Sequence, residues 1–488
     1  MRTERAITAA DGVTDVAVIG AGPAGCVTAL AFARRGARVL LLEAHPRAAT
    51  RLAGEWLHPA GARVLDELGL ASIKDGLAHP PGRGFAIFTD DGAAPIVLEY
   101  PGRSVGFTCD HGALVSALRE AADAHPAISY VPSAHVTGLE HQRLTFEREG
   151  HPGTTTVRAH QVVGADGRSS VTRKWLGLRD SRVAVSCTAG VLLEDAELPR
   201  EGFGHLLLHG PGPAFIYRIG PRHLRACLDV PASSRAPREH AQYLWREYGA
   251  AMPDSLRPAF RRALQTQPIT WASNHFRPRA GYGRDGLALV GDAVGQFHPL
   301  TAVGLTLGLQ DGECLARSPS FAAYRRERAA RSHVPEMMAM VLYEVFALRG
   351  GGARALRTAT CRMLRRDAAV RERMMRLLAA EDADVLSFSR PFVTAVVLAT
   401  ERVLSEAAAP HRWPHGMRTL IYLHRRLVWL ALQAMIGVLR PWGGAGPTAA
   451  SSLLSEFARR AAPLSVGAAE AAPPPMLVDA LSGPKPGS

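Results

Sequence analysis

Three glycines and one acid, Gly20, Gly22, Gly25 and Glu43, have the types and spacing from which chemistry is most directly read. They lie in residues 15–43, DVAVIGAGPAGCVTALAFARRGARVLLLE. An apolar run breaks at Gly20, a helix-period segment follows to about Arg35, and a second apolar run ends on Glu43. In a strand–helix–strand unit Gly20 permits the tight turn, Gly22 lets the backbone approach a pyrophosphate, and Gly25 allows close helix–strand packing. The phosphates would sit on free N–H groups at the helix N-terminus. Glu43 can accept hydrogen bonds from both ribose hydroxyls. A free 2′-hydroxyl is thereby implied, hence FAD or NAD rather than NADP.

Further polar residues stand at breaks in the apolar pattern. Asp166 sits in a Gly-Ala-Asp-Gly turn after a strand, at residues 164–167. Asp292 ends the strand LALVG, where it suits a hydrogen bond to ribityl hydroxyls. A His298-Pro-Leu-Thr301 loop follows, and Gly304-Leu305 opens a helix whose N-terminus suits the pyrimidine edge of a flavin. His298 reads as a structural loop residue. Arg51 is a solvent-loop residue or part of a loop returning over the cofactor, where its fork could hold phosphate. Arg119 lies in a helix-period stretch, residues 107–124.

Composition bounds the class. A chain of 488 residues, 47% hydrophobic and 21% charged, should divide into two or three domains. Its net charge of +13 reads as an arginine-rich solvated surface or as attraction to an anionic membrane. No compact basic run or zinc-finger spacing occurs, so nucleic acid is not an expected partner. Six scattered cysteines without a CxxC pair read as reduced thiols, with no metal site. The first residues lack an apolar core, so no signal peptide is read. A second GxGxxG, expected of a chain with its own NAD(P)H domain, is missing.

The elements that must position these residues divide the chain as follows. Residues 12–83, 107–190 and 281–325 form three parts of a cofactor domain. Residues 84–106 supply substrate-side strands, and 191–280 a substrate domain with β segments and a helical stretch over 240–264. The stretches 128–139 and 144–157 read as antiparallel strands of an inserted sheet. Residues 326–442 are helical and arginine-rich. Their longest uncharged apolar run, Leu427 to Leu439, has thirteen residues, too few to span a bilayer of ~30 Å. An interfacial helix and a helix buried in a bundle both fit it. Residues 443–488, rich in Ala, Pro, Gly and Ser, read as a mobile tail.

Several segments, in family order, resemble the squalene epoxidase (squalene monooxygenase) family, within the group A flavin monooxygenases of aromatic-hydroxylase fold. They are the GxGxxG unit, RLAGEWLHPAG (51–61), Glu-Tyr100-Pro, Gly291-Asp-Ala with His298-Pro-Leu-Thr301, LYEVF (342–346) and LRTATC (356–361). The resemblance covers roughly residues 12–400. It implies an α/β chain: a Rossmann-type FAD-binding domain, an inserted β-sheet substrate domain and a C-terminal helical region. It places FAD contacts on Glu43, Arg51, Arg119, Asp292 and the main chain at Gly304-Leu305; Asp166 draws its functional weight from its place, at a strand end about 140 residues after the first glycines. His58 stands where the family has glutamine, opposite Tyr100. Ala302-Val303-Gly304 replaces a triple glycine.

The implied activity is epoxidation of an apolar isoprenoid or polyene olefin by O2 through a flavin C4a-hydroperoxide. His58 and Tyr100 would orient flavin and substrate rather than move protons. Electrons would come from NAD(P)H directly or through a separate reductase. A membrane surface on the cytoplasmic side, bound peripherally, is the expected partner. Oxygenation of a prenylated aromatic or polyketide is the nearest rival, and a geranylgeranyl-reductase-like FAD reductase is another.

Overall fold

The structure is a computed structural model that describes residues 13–48, 52, 54–77, 81–178, 182–232, 240–406 and 413–442. Arg51 and the expected tail, 443–488, lie outside the described residues.

The strands Val13–Ile19 and Val39–Glu43 are apolar almost throughout and almost wholly buried. Such strands suit a parallel sheet covered on both faces. They pair in parallel, with Val16 opposite Val39 and Ile19 opposite Leu42. Thr154–Gly164 flanks the first strand, with Val18 opposite Val163, and Leu287–Leu289 lies beyond it. On the other side Ile128–Pro132 runs parallel to Val39–Glu43. The reading of 128–139 as antiparallel is therefore corrected: its first part is a strand of the parallel sheet. Only Ala134–Glu140, Arg143–Arg148 and the start of Thr154–Gly164 form the antiparallel meander. Alternation along one strand carries no information about its neighbour's direction.

The helices Pro23–Ala33 and Gly304–Arg317 pack closely on one another. A Cβ on Gly312 would stand 2.4 Å from Thr28 Oγ1, which only glycine avoids. This contact sets the helix that follows the 298–301 turn directly against the helix of the first glycine motif.

A second sheet runs in the order Thr270–Phe276, Val183–Glu194, His223–Pro231, Ala214–Arg218, Phe203–Leu207, Gly84–Phe88, Ile96–Glu99. Its neighbours are antiparallel except Phe203–Leu207 with Gly84–Phe88. Val183–Glu194 lies wholly in this sheet, so the boundary drawn at residue 190 falls inside one strand. One face is covered by two helices, His240–Tyr248 and Arg257–Thr266, in place of one continuous stretch. The opposite face presents Phe85, Ile87, Leu98, Leu206 and Phe215 to the C-terminal helices. Those helices are Phe321–Ala347, Gly351–Arg366, Ala368–Leu378, Val385–Glu406 and Trp413–Leu439.

The last helix and the turn Arg440–Trp442 that follows it are held by buried charge as well as by Leu423 and Leu430. Arg426 Nε lies 2.7 Å from Glu344 Oε1, and Arg440 Nη2 lies 2.8 Å from Glu336 Oε2. Its other side is apolar and exposed: Trp413, Met417, Ile421, Val428, Leu432 and Met435 recur at helical spacing.

Candidate active site

The first glycine turn separates its three residues by physical requirement. Gly20 has φ +102°, in the region that favours glycine, and a Cβ there would stand 2.6 Å from Ala165 O. A Cβ on Gly25 would stand 1.8 Å from Gly20 O. At Gly22 a Cβ would meet no protein atom within 4 Å. The fold itself therefore requires glycine at 20 and 25 but not at 22, and a group approaching the backbone supplies the missing reason. That is the fit expected of a pyrophosphate at the start of this helix, whose N-terminus no side chain caps.

Glu43 ends its strand beneath that turn. Its Oε2 accepts the Ala21 amide at 2.7 Å, and Oε1 accepts the His45 amide at 2.9 Å. Arg119 Nη2 pairs with the same carboxylate at 3.0 Å, and its Nε donates to Ala21 O at 2.9 Å. The pair thus ties the glycine turn to the loop after the strand. Arg119 also lines a cavity of about 550 Å³, with Pro46, Arg47, Ser116 and Tyr130. A carboxylate offers about four acceptor positions, so Glu43 retains capacity for a ribose.

Asp166 uses one oxygen internally: Oδ2 accepts from the Thr172 amide at 2.9 Å and its hydroxyl at 3.0 Å. Oδ1 is buried without a partner. Asp292 is half-buried in the turn Gly291–Ala293, with no side-chain partner among the described residues. Two carboxylates placed this way have acceptors left for a bound group. The backbone beneath Asp292 is fixed by a residue that sequence reasoning missed. Asp311, fully buried, accepts the Gly291 amide at 2.9 Å and pairs with both Arg279 and Arg328. Arg279 Nη1 donates to Gly291 O at 3.1 Å.

The turn Pro299–Thr301 follows, capped by His298, whose Nδ1 accepts the Leu300 amide at 3.2 Å. Ala302 then adopts φ +51°, left-handed backbone in a residue with a Cβ. Gly304 begins the helix to Arg317 with no side chain capping it, so its first amides remain available, with Leu305 half-buried beside them. The chain thereby brings Asp292 and Gly304 to one end of the parallel sheet, near the first glycine turn.

His58 and Tyr100 meet. The Tyr100 hydroxyl lies 2.7 Å from His58 Nδ1, and Trp56 Nε1 donates to that hydroxyl at 2.9 Å. His58 Nε2 lies 2.9 Å from Thr301 O. One proton arrangement satisfies the chain: Trp56 donates to Tyr100, Tyr100 to Nδ1, and Nε2–H to Thr301. Burial holds the His58 pKa down at about 4 and pushes the Tyr100 hydroxyl upward. His58 is thus a neutral imidazole with a set tautomer at pH 7.

Sequence reasoning misses Trp56 and reads Glu55 only as a polar loop residue, which its burial corrects. Glu55 is buried, accepts Tyr217 O–H at 2.8 Å and receives Arg225 through two nitrogens. Burial raises its pKa, and Arg225 opposes the rise. The 54–58 segment is thereby bolted to the second sheet. Its only sequence signal was an acid and an aromatic adjoining His58 in the 51–61 stretch.

Beside this relay lies an apolar cavity of about 40 Å³ between the second sheet and the C-terminal helices. Its walls include Phe85, Leu300, Phe346, Thr360, Met374 and Leu378, and only the threonine carries a polar side chain. Phe85 stands 5.9 Å from the His58 ring, centroid to centroid. Leu300 belongs to the capped turn itself.

A family model described as an FAD binding domain matches residues 13–334. The squalene epoxidase of Aspergillus fumigatus is 31% identical over 372 residues, covering 70% of this chain and 77% of that protein. The squalene monooxygenase of Rattus norvegicus is 28% identical over 415 residues, covering 80% and 72%. A flavoprotein/dehydrogenase from Cytophaga hutchinsonii shares the fold with a TM-score of 0.66 at 17% identity, covering 81% of this chain and 100% of that one. A flavin-dependent brominase does so with a TM-score of 0.63, covering 78% and 97%. The glycine turn thus sits inside a matched FAD-binding domain, and the likeness continues into the helices that roof the cavity. This chain belongs to the squalene epoxidase family and is an FAD-dependent monooxygenase.

Proposed function

We propose that the protein epoxidises an apolar isoprenoid or polyene olefin with O2. The observation that carries this reading is the apolar cavity between Phe85, packed near His58, and Leu300, in the turn ahead of the Gly304 helix. Bound FAD supplies oxygen activation; the protein's part is placement and exclusion of water. Glu43 and Arg119 hold the ribose end, Asp166 and Asp292 the middle, and the amides at Gly304-Leu305 the pyrimidine edge. Residues 13–48, 107–178 and 281–325 build that cofactor site, and the second sheet and the helices after 326 enclose the olefin. The His58–Tyr100 pair fixes the cavity's flavin-side wall without moving protons, because its hydrogens are already committed. A cavity of about 40 Å³ is smaller than any polyene, so Met374, Leu378 and Phe346 must shift on binding.

Electrons come from NAD(P)H, directly or through a separate reductase. Anaerobic mixing of the holoenzyme with NADPH, with and without a reductase, separates the two. The exposed stripe from Trp413 to Met435 docks on a membrane surface and collects the substrate there. No helix among the described residues is long and apolar enough to cross a membrane. The deciding experiment is turnover of squalene and shorter polyenes under isotopically labelled O2. One labelled oxygen in an epoxide supports the reading. Reduction of a double bond without O2 consumption would make the protein a reductase instead.

A further inference from the structure

We propose that Asp229 is a positioning residue for the reaction: acting through His298, it sets the turn that carries the backbone against the flavin. The proposal rests on the reading that this turn and the Gly304 helix face the isoalloxazine.

Asp229 lies on the strand His223–Pro231 of the second sheet, far from any cofactor motif, and is 4% exposed. A carboxyl group buried to this degree is costly unless donors surround it. Three converge on one oxygen. His298 Nε2 lies 2.9 Å from Oδ1, Asn274 Nδ2 lies 3.2 Å from it, and the Ser186 hydroxyl donates to it. Thr188 supports the group from the neighbouring strand, its Oγ1 2.9 Å from Asn274 Nδ2. The second oxygen, Oδ2, is buried without a partner.

Ser, His and Asp together suggest a nucleophilic triad, but the geometry excludes one. Ser186 and Asp229 share the same imidazole nitrogen, Nε2, while Nδ1 accepts the Leu300 amide at 3.2 Å. The imidazole is therefore a bracket. It caps the 299–301 turn with one nitrogen and anchors that turn to the second sheet with the other. Tyr343 closes the ring's face, with centroids 4.6 Å apart. At its other end the same turn is held by His58 at Thr301 O. Two anchors from different parts of the chain therefore hold the turn that ends in left-handed Ala302. Shifts of about 1 Å at such a place can cost about a hundredfold in rate.

The orphaned Oδ2 makes the test discriminating. Asparagine can put its carbonyl where Oδ1 stands, keep all three donors, and turn its amide where nothing bonds. Leucine has similar volume and no acceptor. FAD affinity of the apoprotein and the visible spectrum of the bound flavin should be measured for Asp229→Leu and Asp229→Asn. Asp229→Leu should weaken FAD by about tenfold or more and alter the spectrum, whereas Asp229→Asn should stay within about twofold of wild type. Wild-type behaviour of a folded Asp229→Leu, or equal loss in both variants, would overturn the proposal. His298→Asn covers the case in which the leucine variant does not fold. Asn can still accept the Leu300 amide but is too short to reach Asp229. It should reproduce the spectral change, and an unchanged spectrum would count against the anchor. Gly304→Val probes the underlying reading separately. If it leaves the spectrum untouched, the turn does not face the flavin and the proposal falls with that reading. If Gly304→Val perturbs the spectrum and Asp229→Leu does not, only the role of Asp229 fails.

Discussion

The Tyr100 hydroxyl stands 2.7 Å from His58 Nδ1, and both side chains are buried. The pair is one step in a chain from Trp56 Nε1 to Thr301 O in which each hydrogen has one acceptor. Glutamine, the residue that the family resemblance places at His58, also offers one acceptor and one donor, but along a flexible stem.

Tyr100→Phe should leave Trp56 Nε1 without its acceptor and His58 Nδ1 without its donor. The expected cost is about 1–3 kcal/mol of stability, the usual penalty for unsatisfied buried groups. Thermal unfolding of the holoprotein checks it. On the proposed placement of the flavin and the proposed epoxidation, more peroxide per epoxide should also appear, because the pair then anchors the wall between flavin and cavity. Stability and coupling equal to wild type would place the pair away from the reacting centre.

Acid should destabilise the protein in a definite window. His58, His205 and His333 all have pKa values held down to about 4 by burial. Between that value and the ordinary ~6.5, the unfolded chain takes up protons that the folded chain refuses. Stability therefore falls as pH drops from about 6.5 through about 4. Urea midpoints at several pH values should show the slope, and His58→Gln should make it shallower. A slope unchanged in His58→Gln would mean that His58 is not held neutral.

Removing the last helix should do more than release the protein from a surface. Arg440 pairs with buried Glu336 and donates to Arg279 O at 2.7 Å, and Arg279 holds the Gly291 carbonyl. Truncation before Trp413 removes the guanidinium partners of Glu336 and Glu344 together with the packing of Leu423 and Leu430, and should lower the thermal midpoint of the holoprotein. FAD retention should fall with it. By contrast Ile421→Gln, Val428→Gln and Met435→Gln together alter only the exposed stripe. They should preserve the flavin spectrum and abolish flotation with anionic vesicles. Equal flotation would assign that stripe to another contact.

Ala302 carries left-handed backbone at a cost of roughly 1 kcal/mol for a residue with a Cβ. Ala302→Gly should be neutral to mildly stabilising, while Ala302→Val should lose more than about 1 kcal/mol. Calorimetry of both variants tests the sign. A stable Ala302→Val would mean that the turn can relax.

Glu43→Gln should weaken FAD binding, partly through the loop. Its carboxylate already accepts the amides of Ala21 and His45 and pairs with Arg119. Losing that charge should therefore cost more than the ~0.5–1.5 kcal/mol of one neutral hydrogen bond. Titration of apoprotein with FAD measures it, and full-strength binding would remove Glu43 from the site.

The sequence by itself determined the first glycine turn, the parallel strands beside it and the carboxylates at strand ends. Each is a local matter, because the need for glycine at 20 and a buried run of Val and Leu are legible over a few neighbouring residues. Family order extended this to an FAD-binding fold and to the pairing of His58 with Tyr100. Only the tertiary structure decided how that pair is wired, since Trp56 with His58, Tyr100 and Thr301 meet from three separate segments. It also decided that His58 is neutral, because a pKa near 4 comes from desolvation, and no local pattern records burial. The same holds for Asp229, Asp311 and Arg440. They look like ordinary surface charges along the chain and become anchors only when sheet, turn and C-terminal helix close around them.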